Sequence, residues 1–199
     1  KTYDTSETIK LLLENPSINV NKKFIDGNTA LILTCASRNM KISEKIIKML
    51  LERKEINVNQ KNNYGYTALM EACRNESKDF NINIIKNLLK HHKININLQC
   101  NNGDSALIIA YQNKNTFNRI KILKILLRQS NLNVSLKNKQ GKCALRYCIE
   151  SNNIIYHKEE NLEIINTLLK QTKNQVGFIA APIIKNNCIT TKILEKISE

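Results

Sequence analysis

The sequence predicts an all-α solenoid: stacked helix-turn-helix units with short hairpin fingers between them. Three observations lead there. Only five glycines occur in 199 residues, yet Gly27, Gly65, Gly103 and Gly141 follow one another at a constant step of 38. The triplets Thr29-Ala30-Leu31, Thr67-Ala68-Leu69, Ser105-Ala106-Leu107 and Cys143-Ala144-Leu145 keep the same register. So do Ile9-Lys10-Leu11-Leu12-Leu13, Ile47-Lys48-Met49-Leu50-Leu51, Ile85-Lys86-Asn87-Leu88-Leu89 and Leu123-Lys124-Ile125-Leu126-Leu127. A period of this length marks units that cannot bury their own apolar face and must stack on their neighbours.

The elements follow in order. Residues 1–22 read as a partial repeat: Asp4-Thr5-Ser6-Glu7 caps a second helix over Thr8 to Glu14, and Ile18-Asn19-Val20-Asn21 closes it. Repeats at 23–60, 61–98 and 99–136 are complete. Each opens on a polar turn around its glycine, where a positive φ is tolerated. Thr or Ser then caps a short first helix whose Ala and Leu recur at helical spacing. A polar linker leads to a second helix with apolar pairs one turn apart, such as Ile46/Ile47 and Leu50/Leu51. Ile56-Asn57-Val58-Asn59, Ile94-Asn95-Ile96-Asn97 and Leu132-Asn133-Val134-Ser135 end the units.

The fourth repeat, 137–173, places its second helix from Ile164, 42 residues after Ile122, so extra residues enter around Ser151 to Asn161. Ile154-Ile155-Tyr156 in that insertion either packs beneath the preceding helix or protrudes as a binding loop. Residues 174–199 read as a C-terminal cap, with Ala181-Pro182-Ile183 as a degenerate helix start and Thr190 to Ile197 as a last helix. The whole is one repeat domain. Because the chain opens on Lys1 and holds Met only at 40, 49 and 70, it is expected to be a piece of a longer polypeptide.

The runs Gly65-Tyr66-Thr67-Ala68-Leu69-Met70-Glu71-Ala72-Cys73 and Ile84-Ile85-Lys86-Asn87-Leu88-Leu89, with the Ile-Asn-Val-Asn closure, resemble ankyrin repeats over nearly the whole chain. Ile32, Met70, Ile108 and Arg146 stand where that family carries a histidine, and the units are about five residues longer than the family's usual 33. The resemblance implies an ankyrin-type fold and a non-enzymatic scaffold that binds a partner protein. It also implies a concave recognition surface of finger tips and exposed first-helix positions. Mapped onto this chain, that surface holds Ile25, Asp26 and Asn28; Asn63, Tyr64 and Tyr66; Asn101, Asn102 and Asp104; and Lys139, Gln140 and Lys142. Arg74, Asn75, Gln112, Asn113 and Glu150 follow on the first helices. Tyr64 and Tyr66 either anchor a partner, since tyrosine contributes large area at small entropy cost, or one of the two packs on the adjacent finger.

Charge offers a second surface. Lys and Arg total 31 against 17 acidic residues, a net +14. Lys10, Lys48, Lys86 and Lys124 share one repeat position and form a column along the outer face of the second helices. That column either keeps a solvated face soluble or meets nucleic acid or an anionic membrane surface. Lysine outnumbers arginine 25 to 6 and few aromatics interleave it, so nucleic acid is the weaker reading. A targeting arm of a larger multidomain protein is a further alternative. Asn, Ile and Lys together make 84 residues, and their A/T-rich codons point to genome base composition as one source of the bias.

No catalytic or metal-binding pattern stands out, and no cofactor is expected. Cys-x-x-Cys is absent, and His91, His92 and His157 lack ligand spacing with any cysteine. Cys35, Cys73 and Cys148 fall at small core positions, Cys143 takes the place of the capping Thr, and Cys100, in a finger, is expected to be accessible. Free thiols point to a reducing, intracellular and cytoplasmic setting. Asn75-Glu76-Ser77 and Asn133-Val134-Ser135 match the glycosylation pattern without a secretory context. No run approaches the length of a membrane span, and a monomer is expected.

Overall fold

A computed structural model describes residues 5–37, 40–77, 82–150 and 158–176. The insertion triplet Ile154-Ile155-Tyr156 and nearly all of the expected C-terminal cap lie outside the described residues. Nine α-helices run through the described residues: α1 Thr5–Glu14, α2 Ala30–Ala36, α3 Met40–Leu51, α4 Ala68–Arg74, α5 Asn83–Lys90, α6 Ala106–Gln112, α7 Thr116–Leu126, α8 Ala144–Glu150 and α9 Lys158–Val176. The only β pairing among them is a bridge between Gln99 and Ser105 at the base of one finger. No described helix is long and apolar enough to cross a membrane.

The even-numbered helices α2 to α8 are the first helices of successive units. They stack in series, α2 on α4 on α6 on α8. Three are short because their ends are chemically marked. The hydroxyls of Thr29, Thr67 and Ser105 accept from the backbone N–H of Ile32, Met70 and Ile108, as the sequence led one to expect. At the other end Ser37, Asn75 and Asn113 turn the backbone to extended geometry. Every first helix packs on its own second helix, α2 on α3, α4 on α5, α6 on α7 and α8 on α9, and α3 bridges α1 and α5. Leu69, Met70, Ile85, Leu88 and Ile108 are almost fully enclosed between units. Each such side chain contributes about 1.5–3 kcal/mol, so the core lies between neighbouring units and a lone unit lacks most of it.

Two boundaries differ from the sequence reading. α1 begins at Thr5, ahead of Thr8. α9 begins at Lys158, ahead of Ile164, and continues past 173 to Val176, so the helix takes up the end of the insertion.

Polar side chains tie the units together, and asparagine does most of it. Asn59 Nδ2 donates to the Lys93 carbonyl at 2.7 Å, and Asn59 Oδ1 accepts from the Asn95 N–H at 2.8 Å. Asn21 makes the same pair of bonds to Glu55 and Asn57, and Asn97 to Asn131 and Asn133. This ladder ends at Ser135, whose shorter side chain leaves a buried Oγ with no partner among the described residues. A second ladder runs through the first-helix ends. Asn113, 2 % exposed, donates to the carbonyls of Cys73 and Asn75 at 2.9 and 3.1 Å, and Asn75 donates to Ser37 at 2.9 Å. Asparagine carries a donor and an acceptor on one short stem, which is what a bond to both N–H and C=O of the next unit requires. Base composition therefore does not account for these residues.

The thiols follow the same division. Cys35 and Cys73 are fully buried, and burial pushes both well above the ordinary thiol range. Cys148 is pushed up to about 11, also chiefly by burial. Cys100, expected to be accessible, is 6 % exposed and belongs to the buried core. Cys143 alone among the described thiols is half-exposed. Alkylation of the native protein with iodoacetamide is expected to modify Cys143 first of these five; comparable labelling of Cys35 or Cys73 would contradict this packing.

Candidate protein-docking face

The fingers are fixed before their side chains are displayed. The backbone N–H groups of Asn63, Asn101 and Lys139 donate to the carbonyls of Asp26, Tyr64 and Asn102 in the preceding finger, at 2.8, 3.1 and 2.9 Å. Inside a finger, Asn62 Oδ1 accepts from the N–H groups of Tyr64 and Tyr66, and Asn138 Oδ1 from those of Gln140 and Lys142. The same two asparagines reach back one unit: Asn62 Nδ2 donates to Asn28 Oδ1 at 2.9 Å, and Asn138 Nδ2 to Asp104 Oδ1 at 2.8 Å. In the third finger Cys100 replaces the asparagine and the preceding unit offers Tyr66 in place of a small acceptor.

These bonds sort the expected surface residues. Asp26, Asn63, Tyr64, Arg74, Asn101, Asn102, Gln112, Lys139 and Gln140 are exposed, with Tyr64 at 58 %. Asp104 is not available to a partner. It is 6 % exposed and committed to Asn138. Asn28 and Lys142 are half-buried, the first bonded to Asn62 and the second with its Nζ over the Tyr147 ring at 5.6 Å. Tyr66 is also half-buried, so of the tyrosine pair only Tyr64 projects. Asn75 and Asn113, placed on the first-helix surface by sequence, are buried, because their amides face the preceding unit's carbonyls. Its buried, doubly bonded amide also removes Asn75 from consideration as a glycosylation acceptor.

Tyr66 and Glu71 together hold Arg74. The guanidinium lies 5.2 Å from the Tyr66 ring centroid, while Nε and Nη2 donate to Glu71 Oε2 at 3.2 and 2.7 Å. Glu71 is 5 % exposed; the Glu71 bond raises the Arg74 guanidinium above its ordinary value, and burial raises the Tyr66 hydroxyl. The sequence reading missed Glu71, although a carboxylate at the repeat position of Leu33 and Ile109 was a visible anomaly. Arg74 and Gln112 stand on the rim of an open groove of about 730 Å³ that runs across the ends of α2, α4 and α6. Ile109 and Ala36 line it beside Glu71, Asn75 and Asn113. The lining is mainly polar, and Arg74 at its rim is held by Glu71 and the Tyr66 ring.

The lysine column carries less uncompensated charge than its sequence suggests. Lys10 pairs with Glu7 at 3.8 Å, Lys48 with Glu44 at 2.9 Å and Lys124 with Glu163 of α9 at 2.6 Å. Lys124 is only half-exposed. Three of the four positions thus bring their own counter-charge. His91, at the end of α5, accepts the Lys93 N–H on Nδ1 and stacks on His92 with centroids 4.8 Å apart, a helix-end arrangement. Among the described residues no group of three or more His, Cys, Asp or Glu side chains is placed to hold a metal ion.

The family model of ankyrin repeats, three copies, matches residues 2–99 and 78–177. An ankyrin repeat domain from Acinetobacter baumannii AYE, known from its crystal structure, superposes with a TM-score of 0.63 at 23 % identity. That likeness covers 82 % of this chain and 76 % of the other and concerns the fold. No curated protein sequence matches the chain.

Proposed function

The chain belongs to the ankyrin repeat family, whose repeats are generally protein–protein interaction modules, and on that premise we propose that it is a non-enzymatic scaffold docking a partner protein on its finger and first-helix face. The groove beside Arg74 carries the reading. Binding energy concentrates where an anchor is already held in its bound geometry, and Arg74 is held by Glu71 and Tyr66 before any partner arrives. Tyr64 supplies exposed aromatic area on the adjoining finger, and Gln112 a polar contact across the groove. In this reading 1–22, 23–60, 61–98, 99–136 and 137–173 act as one stack, capped by 174–199. The back of that stack, with Lys10, Lys48 and Lys124 already paired, serves as a solvated face.

Affinity capture with Tyr64→Ala and with Gln112→Arg tests the proposal, with Lys86→Ala as a control on the opposite face. Both substituted side chains are exposed, so unchanged circular-dichroism melts are expected. A partner retained by the parent chain and by Lys86→Ala should bind the two face variants about 30-fold more weakly, the size of a hot-spot loss. Equal retention by all of them would overturn the site.

A further inference from the structure

The finger face and the second-helix face treat their lysines differently. On the second helices, Lys10, Lys48 and Lys124 each pair with a carboxylate. On the fingers and first-helix ends, Lys22, Lys23, Lys114, Lys137 and Lys139 are exposed and form no ion pair among the described residues. Exposed carboxylates are few there: Asp26 in the first finger, and Glu76 after α4, whose Oε1 accepts the Lys114 N–H at 3.1 Å.

The contrast is sharpest at the fourth finger. Residues 136–142 read Leu-Lys-Asn-Lys-Gln-Gly-Lys, with no acidic residue. The third finger does hold a carboxylate, Asp104, but it is 6 % exposed and its Oδ1 accepts from Asn138, the residue between Lys137 and Lys139. Both lysines stand on backbone that is already fixed. The Lys139 N–H donates to the Asn102 carbonyl at 2.9 Å, and the Lys137 carbonyl accepts from Gln99 Nε2 at 2.9 Å. Two units earlier on the same face, Arg74 commits Nε and Nη2 to Glu71 Oε2 while its side chain stays 59 % exposed. Solubility alone is served by interspersed charges of both signs, as on the second helices; like charges held on one rigid edge repel one another until a counter-charge arrives.

Resting on the docking face proposed above, we infer that the partner's docking segment is acidic: a carboxylate-rich stretch of protein that lies over Lys137 and Lys139 and extends toward Arg74. The lysines govern the encounter rate and its salt dependence, while the groove with Tyr64 and Gln112 governs the fit. Nucleic acid suits this face less well. Lysine supplies its uncompensated charge, and from the second finger to the fourth the only exposed aromatic among the described residues is Tyr64.

Fluorescence anisotropy with a labelled peptide of about a dozen residues, alternating Glu with Ser, tests the inference at about 50 mM NaCl. The parent chain is expected to bind it, and to lose about tenfold or more in affinity by about 300 mM NaCl. The double variant Lys137→Glu/Lys139→Glu should weaken binding about tenfold or more, and Lys45→Glu/Lys86→Glu on the second helices by less than about threefold. Both double variants have the same net charge, so a difference between them reports position. All four side chains are exposed, and Tm is expected to stay within about 2 °C of the parent's. Failure of the parent to bind the peptide overturns the inference, as does equal weakening by the two variants. So does a single-stranded oligonucleotide of equal charge that binds the same lysines more tightly. A captured partner that requires Tyr64 and Gln112 but tolerates Lys137→Glu/Lys139→Glu overturns the acidic segment and leaves the docking face standing; equal capture by every variant overturns the face itself.

Discussion

Gly65→Ala is expected to cost about 3 kcal/mol or more, and Gly141→Ala only about 1–2 kcal/mol, although both glycines hold φ near the same left-handed value, 81° and 74°. The conformational cost is shared. What differs is the neighbour: a Cβ on Gly65 would stand 2.5 Å from the backbone nitrogen of Asn101, whereas one on Gly141 meets nothing within 4 Å. Asn101 cannot retreat cheaply, because its N–H donates to Tyr64 and its Nδ2 to Asn63 at 2.8 Å. Displacing it opens the contact between the second and third fingers and the units behind them. Urea unfolding of the two variants checks this, and equal losses would show that the fingers yield freely.

Asn113→Asp should cost roughly 3–5 kcal/mol near neutral pH, against about 1–3 kcal/mol for Asn113→Ala. The alanine leaves two buried carbonyls, those of Cys73 and Asn75, without their donor. The aspartate also sets a carboxylate against them at a site 2 % exposed. Desolvation and the facing carbonyls both favour the protonated acid, which can donate, so the folded-state pKa of the new side chain rises above the unfolded value of about 3.9. The folded variant then holds more protons than the unfolded one, and stability falls as pH rises from about 4 through the raised pKa. The parent chain has no titrating group at this position. A stability difference between Asn113→Asp and the parent that stays flat from pH 4 to 7 would contradict the assigned bonds.

The two predictions fall on residues that were unequally legible. The glycine step was plain in one dimension, because each finger needs the same local conformation and glycine is scarce enough to mark it. Asn113 was read as a surface residue. Nothing local distinguishes it from the exposed Gln112 beside it; the acceptors that bury it belong to residues 38 and 40 positions earlier. Asn59 and Asn97 were hidden in the same way by the abundance of asparagine. The Cys100 thiol was misplaced because its repeat position, held by Asn62 and Asn138 in the neighbouring fingers, is buried in every one of them. Lys124 kept its column position, but Glu163 reached it only through the displaced register of α9.

Sequence by itself determined the period, the fingers, the capped first helices, the amphipathic second helices and the family. All of these rest on interactions within a few residues of the chain, repeated until chance is excluded. Only the tertiary structure decided which polar side chains are internal ties and which are exposed. It separated Asp104 and Tyr66 from Asp26 and Tyr64, drew Arg74 onto Glu71 beside a groove, and left Leu12, Phe24 and Leu33 bare where their repeats are buried. The physical reason is the same throughout: in a stack, burial is conferred by the adjacent unit, so identical positions have different surroundings wherever that neighbour, or the residue it presents, changes.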